Sequence, residues 1–440
     1  MKNKINEELV LLIRSMSPAE KRGFSLYSAK YRAKERGEKN YLELYRRMAQ
    51  LGEGEAIPRV QEDTADYLIG LLTESLLFQR RSSAETEMRA QLAAATLLHR
   101  RGLEKRAARI FEKLYISGLE SCAYEFGLDL LQTQIQLFSS IDLLDELREL
   151  MVRRNALLDR LIKHRRYDDI MLDLFRTLSE NNTGKIKNII RSPLLRRTSN
   201  DLRTEVQRLH LLAHAHLCIG ETTKGGKYHL QLKKIFEDHP AYLRVRVHLY
   251  LVIVLNTGIM AYQSENTERL LESIESLETL PQRIPGFITG IDRDRITRYV
   301  LDMRLRYALL NNEAETGLKL LPGIRNCLRQ DKKTEPYRVN YLRYNTALCL
   351  FRRQRFREAL GWLQPVIDDR RKGYYNQKTY GLAYLLRIAC HLQLQHEETA
   401  EPLIRSFRRN RFFEPLRKNE QFRRLLSGMP GNLQSKDWLL

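Results

Sequence analysis

The chain has 440 residues, and its 75 Lys and Arg against 54 Asp and Glu give a formal net charge of +21 at pH 7. That length excludes a small domain with one compact core, and it favours several domains or a repeat array whose core grows lengthwise. Only 22 Gly and 12 Pro occur, and alternating strand patterns are scarce, so we expect an all-α protein.

The positive charge favours a polyanionic partner. Nucleic acid, an anionic membrane surface and an acidic protein all fit a basic chain of this kind. The same bases are also what the solvated faces of amphipathic helices carry. Charge alone therefore leaves both interpretations open.

Targeting signals are not evident in the sequence. The first residues, MKNKINEELVLLIRSMS, mix acids and bases around a short apolar stretch, unlike a secretory signal. The longest strongly apolar run, Leu249 to Leu255, is far shorter than the roughly 20 residues that span a bilayer. The 5 cysteines have no CxxC pairing, which predicts reduced, buried thiols. We expect a cytoplasmic protein with no membrane span.

Residues 1–83 are predicted to form a separate amino-terminal helical module. Ser17 is expected to cap a helix with Pro18 at its first position and Glu20 at its third. Phe24 and Tyr27 are three residues apart in that helix, and this spacing predicts that both pack inward.

Residues 84–409 are predicted to be an array of helix hairpins, with a basic cap and tail over residues 410–440. The clearest hairpin is Tyr341 to Ile367, whose apolar faces cannot be buried by the pair alone. Its spacing indicates a tetratricopeptide unit, with a period of about 34 residues. A small, large, large pattern marks the second helix of three hairpins: Ala107, Phe111 and Leu114; Ala359, Leu363 and Val366; Ala400, Ile404 and Phe407.

The middle of the array is less regular. Arg244 to Leu251, RVRVHLYL, alternates like a strand, but we interpret it as helix because a lone strand would lack a ladder partner. Leu143 to His164 and Tyr167 to Glu180 are predicted as separate helices. Lys185 to Asn200 is interpreted as a short helix and an exposed loop, and Pro281 to Gly290 as a hinge or inserted loop.

Three parts of the chain carry a resemblance to a known family. They are LIRSMSPAEKRGFSLYSAK with NYLELYRRM, then LLHRRGLEKRAARIFEKL, and finally LLRIACHLQLQHEETAEPLIRSFRRNRFF. Together they resemble a family of uncharacterised bacterial tetratricopeptide-repeat-like (TPR-like) helical proteins, over nearly the whole chain. The resemblance implies a TPR-like α-solenoid of helix hairpins and carries over no catalytic residue. The chain departs from the ideal unit at Gly225 and Gly317, where Ala is usual.

Short motifs that suggest chemistry lie in contexts that argue against it. Gly220 to Lys227, GETTKGGK, resembles a phosphate-binding loop, but it is one residue too long and joins two helices. His210 and His214 lie one helical turn apart and can hold zinc, yet structural histidines are the better interpretation because no further ligand is near. Helix capping and surface ion pairing explain the pair Asp368 and Asp369. We expect no catalytic site, cofactor or metal.

Tyrosines cluster near the first helices of the last two hairpins, which are the helices that line the concave groove of such arrays. Tyrosine there can anchor an extended peptide, and packing between adjacent helices is an equally good explanation. The predicted partner-binding residues are Tyr337, Tyr341, Tyr344, Asn345, Arg352, Tyr380 and Tyr384.

Arginines interleaved with phenylalanines lie near the end of the chain. This combination can grip phosphate and stack on unpaired bases, and the phenylalanines are also spaced to seal the last repeat. The leading hypothesis is a non-enzymatic repeat protein that binds a protein or peptide on its concave face, and the alternative is a nucleic-acid-associated regulator. The predicted anion-binding residues are Arg405, Arg408, Arg409 and Arg411.

Overall fold

The computed structural model describes residues 4–16, 18–32, 40–51, 62–79, 84–138, 144–180, 182–330, 336–369, 374–409 and 413. Every regular element within these ranges is helical, which confirms the all-α prediction, and neighbouring helices pack in pairs. The described residues divide into two compact units, residues 1–157 with 284–290 and residues 158–283 with 291–440. The predicted domain boundary near residue 83 lies outside the described residues and stays a prediction.

The helices are numbered in chain order. The first eight are α1 (Lys4–Ser15), α2 (Pro18–Arg32), α3 (Asn40–Gln50), α4 (Glu62–Gln79), α5 (Ala84–Arg100), α6 (Glu104–Glu120), α7 (Tyr124–Leu137) and α8 (Leu144–Ser179). The next eight are α9 (Thr183–Ile190), α10 (Pro193–Arg196), α11 (Leu202–Cys218), α12 (Thr222–Asp238), α13 (Pro240–Val245), α14 (Val247–Gln263), α15 (Thr267–Glu278) and α16 (Leu280–Arg283). The last are α17 (Gly290–Leu310), α18 (Ala314–Leu318), α19 (Leu321–Gln330), α20 (Pro336–Arg352), α21 (Phe356–Asp368), α22 (Tyr374–Gln393) and α23 (Glu397–Arg409).

The amino-terminal helices α1 to α4 pack around a core of their own. Pro18 opens α2 as predicted, and Phe24 is fully buried against Tyr45, with ring centroids 4.7 Å apart. Tyr27 is only half-buried, and its hydroxyl donates to Glu74 Oε2 at 3.2 Å. Ser17, the predicted cap, lies outside the described residues. One face of α2 is therefore interior, and its neighbouring side is partly polar.

The same turn recurs between successive helices. Its central residue has φ between 54° and 81°, and the N–H of the next residue donates to the carbonyl five residues back, at 2.7–3.0 Å. This hydrogen bond is typical of the Schellman motif, in which a left-handed residue follows the helix. The bond satisfies one of the carbonyl groups that have no partner at a helix C-terminus. The central residues are Gly102, Cys122, Gly220, Glu265, Asn312, Gln354 and Gln395.

A small residue stands five positions after nearly every one of these turns. The set comprises Ala107, Gly127, Gly225, Gly317, Ala359 and Ala400, and the exception is Leu270.

Close helix contact explains this pattern. A Cβ added to Gly225 would lie 2.7 Å from the Leu217 side chain, and one added to Gly317 would lie 3.0 Å from Cys349 Sγ. In the hairpin of Leu270 the small residue is on the first helix instead, at Gly258, where a Cβ would come within 3.3 Å of Ser273 Cβ. The close neighbour is the other helix of the same hairpin at Gly225, but it is a later helix at Gly317 and at Gly127, where an added Cβ would lie 2.8 Å from Leu157 on α8. A small residue after the turn thus lets a neighbouring helix approach closely.

The spacing of the turns differs from the prediction. From Gly220 to Gln395 they follow one another at intervals of about 40 to 50 residues, longer than the roughly 34 of a tetratricopeptide unit. The first helices of these hairpins are long, with 21 residues in α17 and 20 in α22. The added length lies within the helices and the short elements between them.

Several predicted boundaries were wrong. Residues Leu144 to Ser179 form one helix of 36 residues rather than two, since the segment contains neither Gly nor Pro to end it. The predicted loop after Lys185 contains the short helix α10, which begins at Pro193. After α17 the chain forms two separate helices, α18 and α19, and Pro322 lies at the second position of α19. The segment RVRVHLYL is helical apart from one residue, as predicted.

Two sequence expectations concern membranes and thiols. Among the described helices, none is long and apolar enough to cross a membrane. Cys122, Cys349 and Cys390 are buried, as predicted, whereas Cys218 and Cys327 are half-buried. Burial raises the pKa of the Cys349 and Cys390 thiols to about 12, so both stay protonated at neutral pH.

We predict opposite effects for the same substitution at two helical glycines. Gly225→Ala should lower the free energy of unfolding by about 1–3 kcal/mol, because the new Cβ meets Leu217 and lies 3.1 Å from the Ala213 carbonyl oxygen. Gly361→Ala should raise it by up to about 1 kcal/mol, because nothing lies within 4 Å and Ala is the better helix former. Urea unfolding measures both, and equal changes would contradict the close contact at Gly225.

Candidate functional site

A buried ion pair on α17 is the centre of the candidate site. Only 5% of the Arg306 surface is exposed. Its Nε donates to Asp302 Oδ2 at 2.9 Å, one helical turn earlier, and Asn345 Nδ2 on α20 donates to Asp302 Oδ1 at 2.8 Å. Both oxygens of one carboxylate are therefore used, and they tie α17 to α20.

Two tyrosine rings flank the Arg306 guanidinium. Its Cζ atom lies 5.4 Å from the ring centroid of Tyr262 on α14 and 5.8 Å from that of Tyr341 on α20. Both distances are within the range of cation–π attraction. Burial acts to lower the pKa of Arg306, but the charge and hydrogen bond of Asp302 outweigh it, and the pKa is raised. The guanidinium is thus a permanent charge held by three helices.

The terminal nitrogens of Arg306 differ from its Nε. Within the described part of the chain, Nη1 and Nη2 make no hydrogen bond, although the side chain keeps 7% exposure. A guanidinium carries five N–H donors, so the four on Nη1 and Nη2 have no hydrogen-bond acceptor among the described residues.

Further cations lie on the same two helices. Arg298, Asp302 and Arg306 are spaced by four residues and so share one face of α17. On α20, the Arg338 guanidinium lies over the Tyr299 ring, 5.1 Å from its centroid. The candidate face is therefore rich in arginine and tyrosine. Its residues are Tyr262, Arg298, Tyr299, Asp302, Arg306, Arg338, Tyr341 and Asn345.

The predicted partner-binding residues separate into two groups, one on α20 and one on α22. In the α20 group, Tyr341 and Arg352 are half-buried, whereas Tyr344 and Asn345 are buried inside the protein. Arg352 Nη1 donates to the Leu309 carbonyl, which ties α20 to α17 a second time. Burial raises the pKa of the Tyr344 hydroxyl. The side chain of Tyr337 lies outside the described residues.

Tyr380 and Tyr384 belong to the second group, at the end of the array. Tyr384 is buried, and its ring centroid lies 5.0 Å from that of Phe413 and 6.2 Å from that of Phe407. Tyr380 is half-buried and stacks on Phe413 at 5.8 Å. The phenylalanines therefore seal the last hairpin, as one of the two sequence interpretations expected.

The predicted anion-binding arginines are exposed on α23. Arg405, Arg408 and Arg409 all lie on the surface, and Arg405 Nη2 is 3.9 Å from Glu401 Oε2. Arg411 and most of the predicted basic tail lie outside the described residues. The carboxyl-terminal half of α23 thus presents three guanidinium groups to solvent, two of them in its last turn.

The other motifs have structural explanations. Gly220 is the left-handed residue that ends α11, and Gly225 makes the close contact with Leu217. Within the described residues, no group of three or more His, Cys, Asp or Glu is arranged to hold a metal ion. Asp369, from one of the carboxylate pairs, accepts a hydrogen bond from Asn340 Nδ2 at 2.8 Å.

Sequence reasoning missed Asp302, Arg306 and Tyr262. The sequence feature that indicates the site is a pair of opposite charges one helical turn apart, Asp302 and Arg306. Both lie on the same side of α17 as Tyr299 and Met303, and that side is buried. A buried charge needs a partner, so such a pair indicates an interior ion pair. The contribution of Asn345 was not readable, because it depends on which face of α20 meets α17.

Comparison of the sequence with protein-family models and with curated proteins finds no match.

We predict that Asp302→Asn will lower the free energy of unfolding by about 3–5 kcal/mol, because it leaves the Arg306 charge buried without its counter-ion. Arg306→Met combined with Asp302→Asn should cost much less than the sum of the two single changes. Urea unfolding of the four proteins measures this coupling.

The matched control is an exposed ion pair between α17 and α15. Arg304 Nη2 lies 2.6 Å from Glu278 Oε1, and both side chains are well exposed, so Glu278→Gln should change stability by less than about 1 kcal/mol. If Asp302→Asn costs no more than Glu278→Gln, Arg306 does not depend on Asp302.

Proposed function

We propose that this protein is a non-enzymatic, cytoplasmic, TPR-like α-solenoid of helix hairpins that binds an extended acidic segment of a partner protein. The binding surface is the candidate face on α14, α17 and α20. The observation that carries the proposal is the Arg306 guanidinium, which is held between Tyr262 and Tyr341 with its terminal donors unused.

The recurring turn supports a repeat architecture. Seven turns share one backbone conformation and one hydrogen-bond pattern, and nearly all are followed at the same distance by Ala or Gly. Hairpins of this kind pack side by side, because neither helix buries its apolar face within the pair. The pairs α11 with α12, α14 with α15 and α20 with α21 pack closely, in keeping with such an array.

The charge and chemistry of the candidate face favour an acidic ligand. Three arginines, Arg298, Arg306 and Arg338, outnumber the single carboxylate Asp302 among its residues. Arginine binds carboxylates through parallel N–H···O bonds, and tyrosine provides contact area at a small entropic cost. An extended chain with acidic side chains matches both features.

A binding role also agrees with the state of the one nucleophile nearby. Cys349 on α20 is buried, and burial raises the pKa of its thiol to about 12. A thiol reacts through its thiolate, so this side chain is inert at neutral pH. Its Sγ atom instead packs 3.0 Å from where a Cβ of Gly317 would lie.

We predict that the full chain binds an acidic peptide of about ten residues more tightly than a neutral or basic peptide of equal length. Affinity should fall as salt rises, because the attraction between exposed charges is screened. Fluorescence anisotropy at low and physiological salt measures this preference. Equal binding of the three peptides, or none, would contradict the proposal.

Two variants locate the binding surface. Tyr341→Ala and Arg338→Glu should each weaken acidic-peptide binding at least about fivefold, the size expected when an interface anchor is removed. Arg357→Glu, at an exposed position of α21, is the matched control and should leave binding nearly unchanged. Equal weakening by Arg357→Glu would show that net charge rather than this face attracts the peptide.

The exposed arginines of α23 favour a second candidate function, binding of nucleic acid. Generic DNA or RNA should then bind with an affinity that falls steeply from low to physiological salt. Arg405→Glu with Arg409→Glu should weaken that binding, whereas Tyr341→Ala should not. Failure to bind at low salt would exclude this candidate.

A further inference from the structure

Three histidines meet inside the α11–α12 hairpin, and we call them the histidine cluster: His210, His214 and His229. His210 and His214 lie one turn apart on α11, with Nε2 atoms 3.1 Å apart and rings nearly perpendicular at 4.6 Å. His229 comes from α12, and its ring centroid is 6.2 Å from that of His214. Two neutral imidazoles can share one proton as donor and acceptor at this distance, but two protonated ones cannot.

His229 occupies a position that other hairpins fill with an apolar side chain. It stands nine residues after its left-handed turn residue, and the corresponding residues elsewhere are Phe111, Ile274 and Leu363, all buried. His229 is likewise fully buried, and neither of its ring nitrogens has a hydrogen-bond partner. Packing alone would be served better by an apolar residue, because each unpaired buried nitrogen costs desolvation energy.

The surroundings disfavour a charge on any of the three rings. Besides one another, the group that acts on the cluster is Arg338 of α20, which lowers the pKa of His214. Glu205, Glu221 and Glu237 have other partners, and Asp238 is exposed at the end of α12. Glu205 pairs with Arg208 at 2.5 Å, Glu221 with Lys224 at 2.8 Å and with His216 at 2.9 Å, and Glu237 accepts from Tyr250.

Four helices pack on this hairpin, and the titratable side chains that they carry are mostly basic. These side chains are Lys185 and Lys187 on α9, Arg196 on α10, Arg244 on α13 and His248 on α14. Asp201, which caps α11, accepts from Thr204 and lies 3.3 Å from His164 Nε2. Protonation of the cluster would therefore add positive charges without a carboxylate to balance them.

We propose that the histidine cluster is an acid-sensitive latch, in which protonation of its imidazoles loosens the packing of α12 on α11. The hairpin is closed while all three rings are neutral. On acidification the rings repel one another and Arg338, and they gain hydration by separating. This inference does not depend on the identity of the partner protein.

The direction follows from the pKa values. Burial lowers the pKa of His214 to about 4 and that of His229 to about 3, and it lowers that of His210 well below 6.5. Exposed imidazoles titrate near 6.5, so the open hairpin binds more protons below that pH. The stabilisation by neutral imidazoles is complete above about pH 6.5 and is lost as the pH falls toward about 4. Each imidazole can raise the opening equilibrium by up to about tenfold per pH unit.

Hydrogen exchange of the full chain at pH 7.5 and 5.5, corrected for intrinsic rates, tests the latch. Protection of the α11–α12 amides should fall at least about tenfold more than that of the α14–α15 hairpin, the internal control. His229→Phe introduces the residue type that Phe111 provides at the equivalent position of another hairpin. In this variant the additional loss of protection in α11–α12 should be about tenfold smaller. His239→Phe, at an exposed histidine, should behave like the wild type.

Two results would overturn the proposal. One is equal acid sensitivity of the α11–α12 and α14–α15 hairpins in the wild-type chain. The other is an unchanged response in His229→Phe, with circular dichroism showing that the variant is folded at pH 7.5. If His229→Phe does not fold, His229→Leu takes its place because Leu363 fills the equivalent position. The wild-type comparison alone still decides against the latch if the two hairpins respond alike.

Discussion

Close contact between neighbouring helices is the constraint on which the described fold depends. The chain ends one helix with a left-handed residue, begins the next and, after six of the seven turns, places Ala or Gly five residues later. At Gly127, Gly225 and Gly317 an added Cβ would lie 2.7–3.0 Å from a side chain of another helix. Because this residue has little or no side chain, the larger apolar residues that follow reach into the neighbouring helices. Leu363 and Val366, after Ala359, are examples, and both are essentially fully buried. The geometry of each turn thus decides which residues form the core.

Within this frame, polar groups are buried at a few places and serve to join helices. Asp302 accepts from Arg306 on its own helix and from Asn345 on another, so one carboxylate sets the position of α20 against α17. Burying an ion pair adds little net stability, but breaking it is costly, and such a pair therefore specifies one arrangement of the two helices. Arg306 is thus a structural residue, and it is also the group on which the proposed function rests.

The histidine cluster shows the opposite case, a polar site with no carboxylate to balance a charge. His229 replaces an apolar core residue and finds no hydrogen-bond partner, while α11 adds two half-buried imidazoles that bond each other beside it. Arg306 keeps its charge because the pKa of a guanidinium is high and Asp302 raises it further. Burial instead lowers the pKa of the His214 and His229 imidazoles to about 4 and about 3, so they are neutral at pH 7.

Local patterns in the sequence were enough to predict the helical class, most hairpins and the small residues Ala107, Ala359 and Ala400, because apolar periodicity and turn chemistry act within a few residues. The single helix from Leu144 to Ser179 could also have been predicted from the sequence, since that segment contains no Gly or Pro to break it. Only the tertiary structure decided that Tyr344 and Asn345 are interior, and that Tyr262, Arg306 and Tyr341 meet. These contacts join residues about 35 to 45 positions apart, and they depend on how each helix is rotated about its own axis. A rotation of this kind has no local signal, because it results from the packing of all neighbouring helices together.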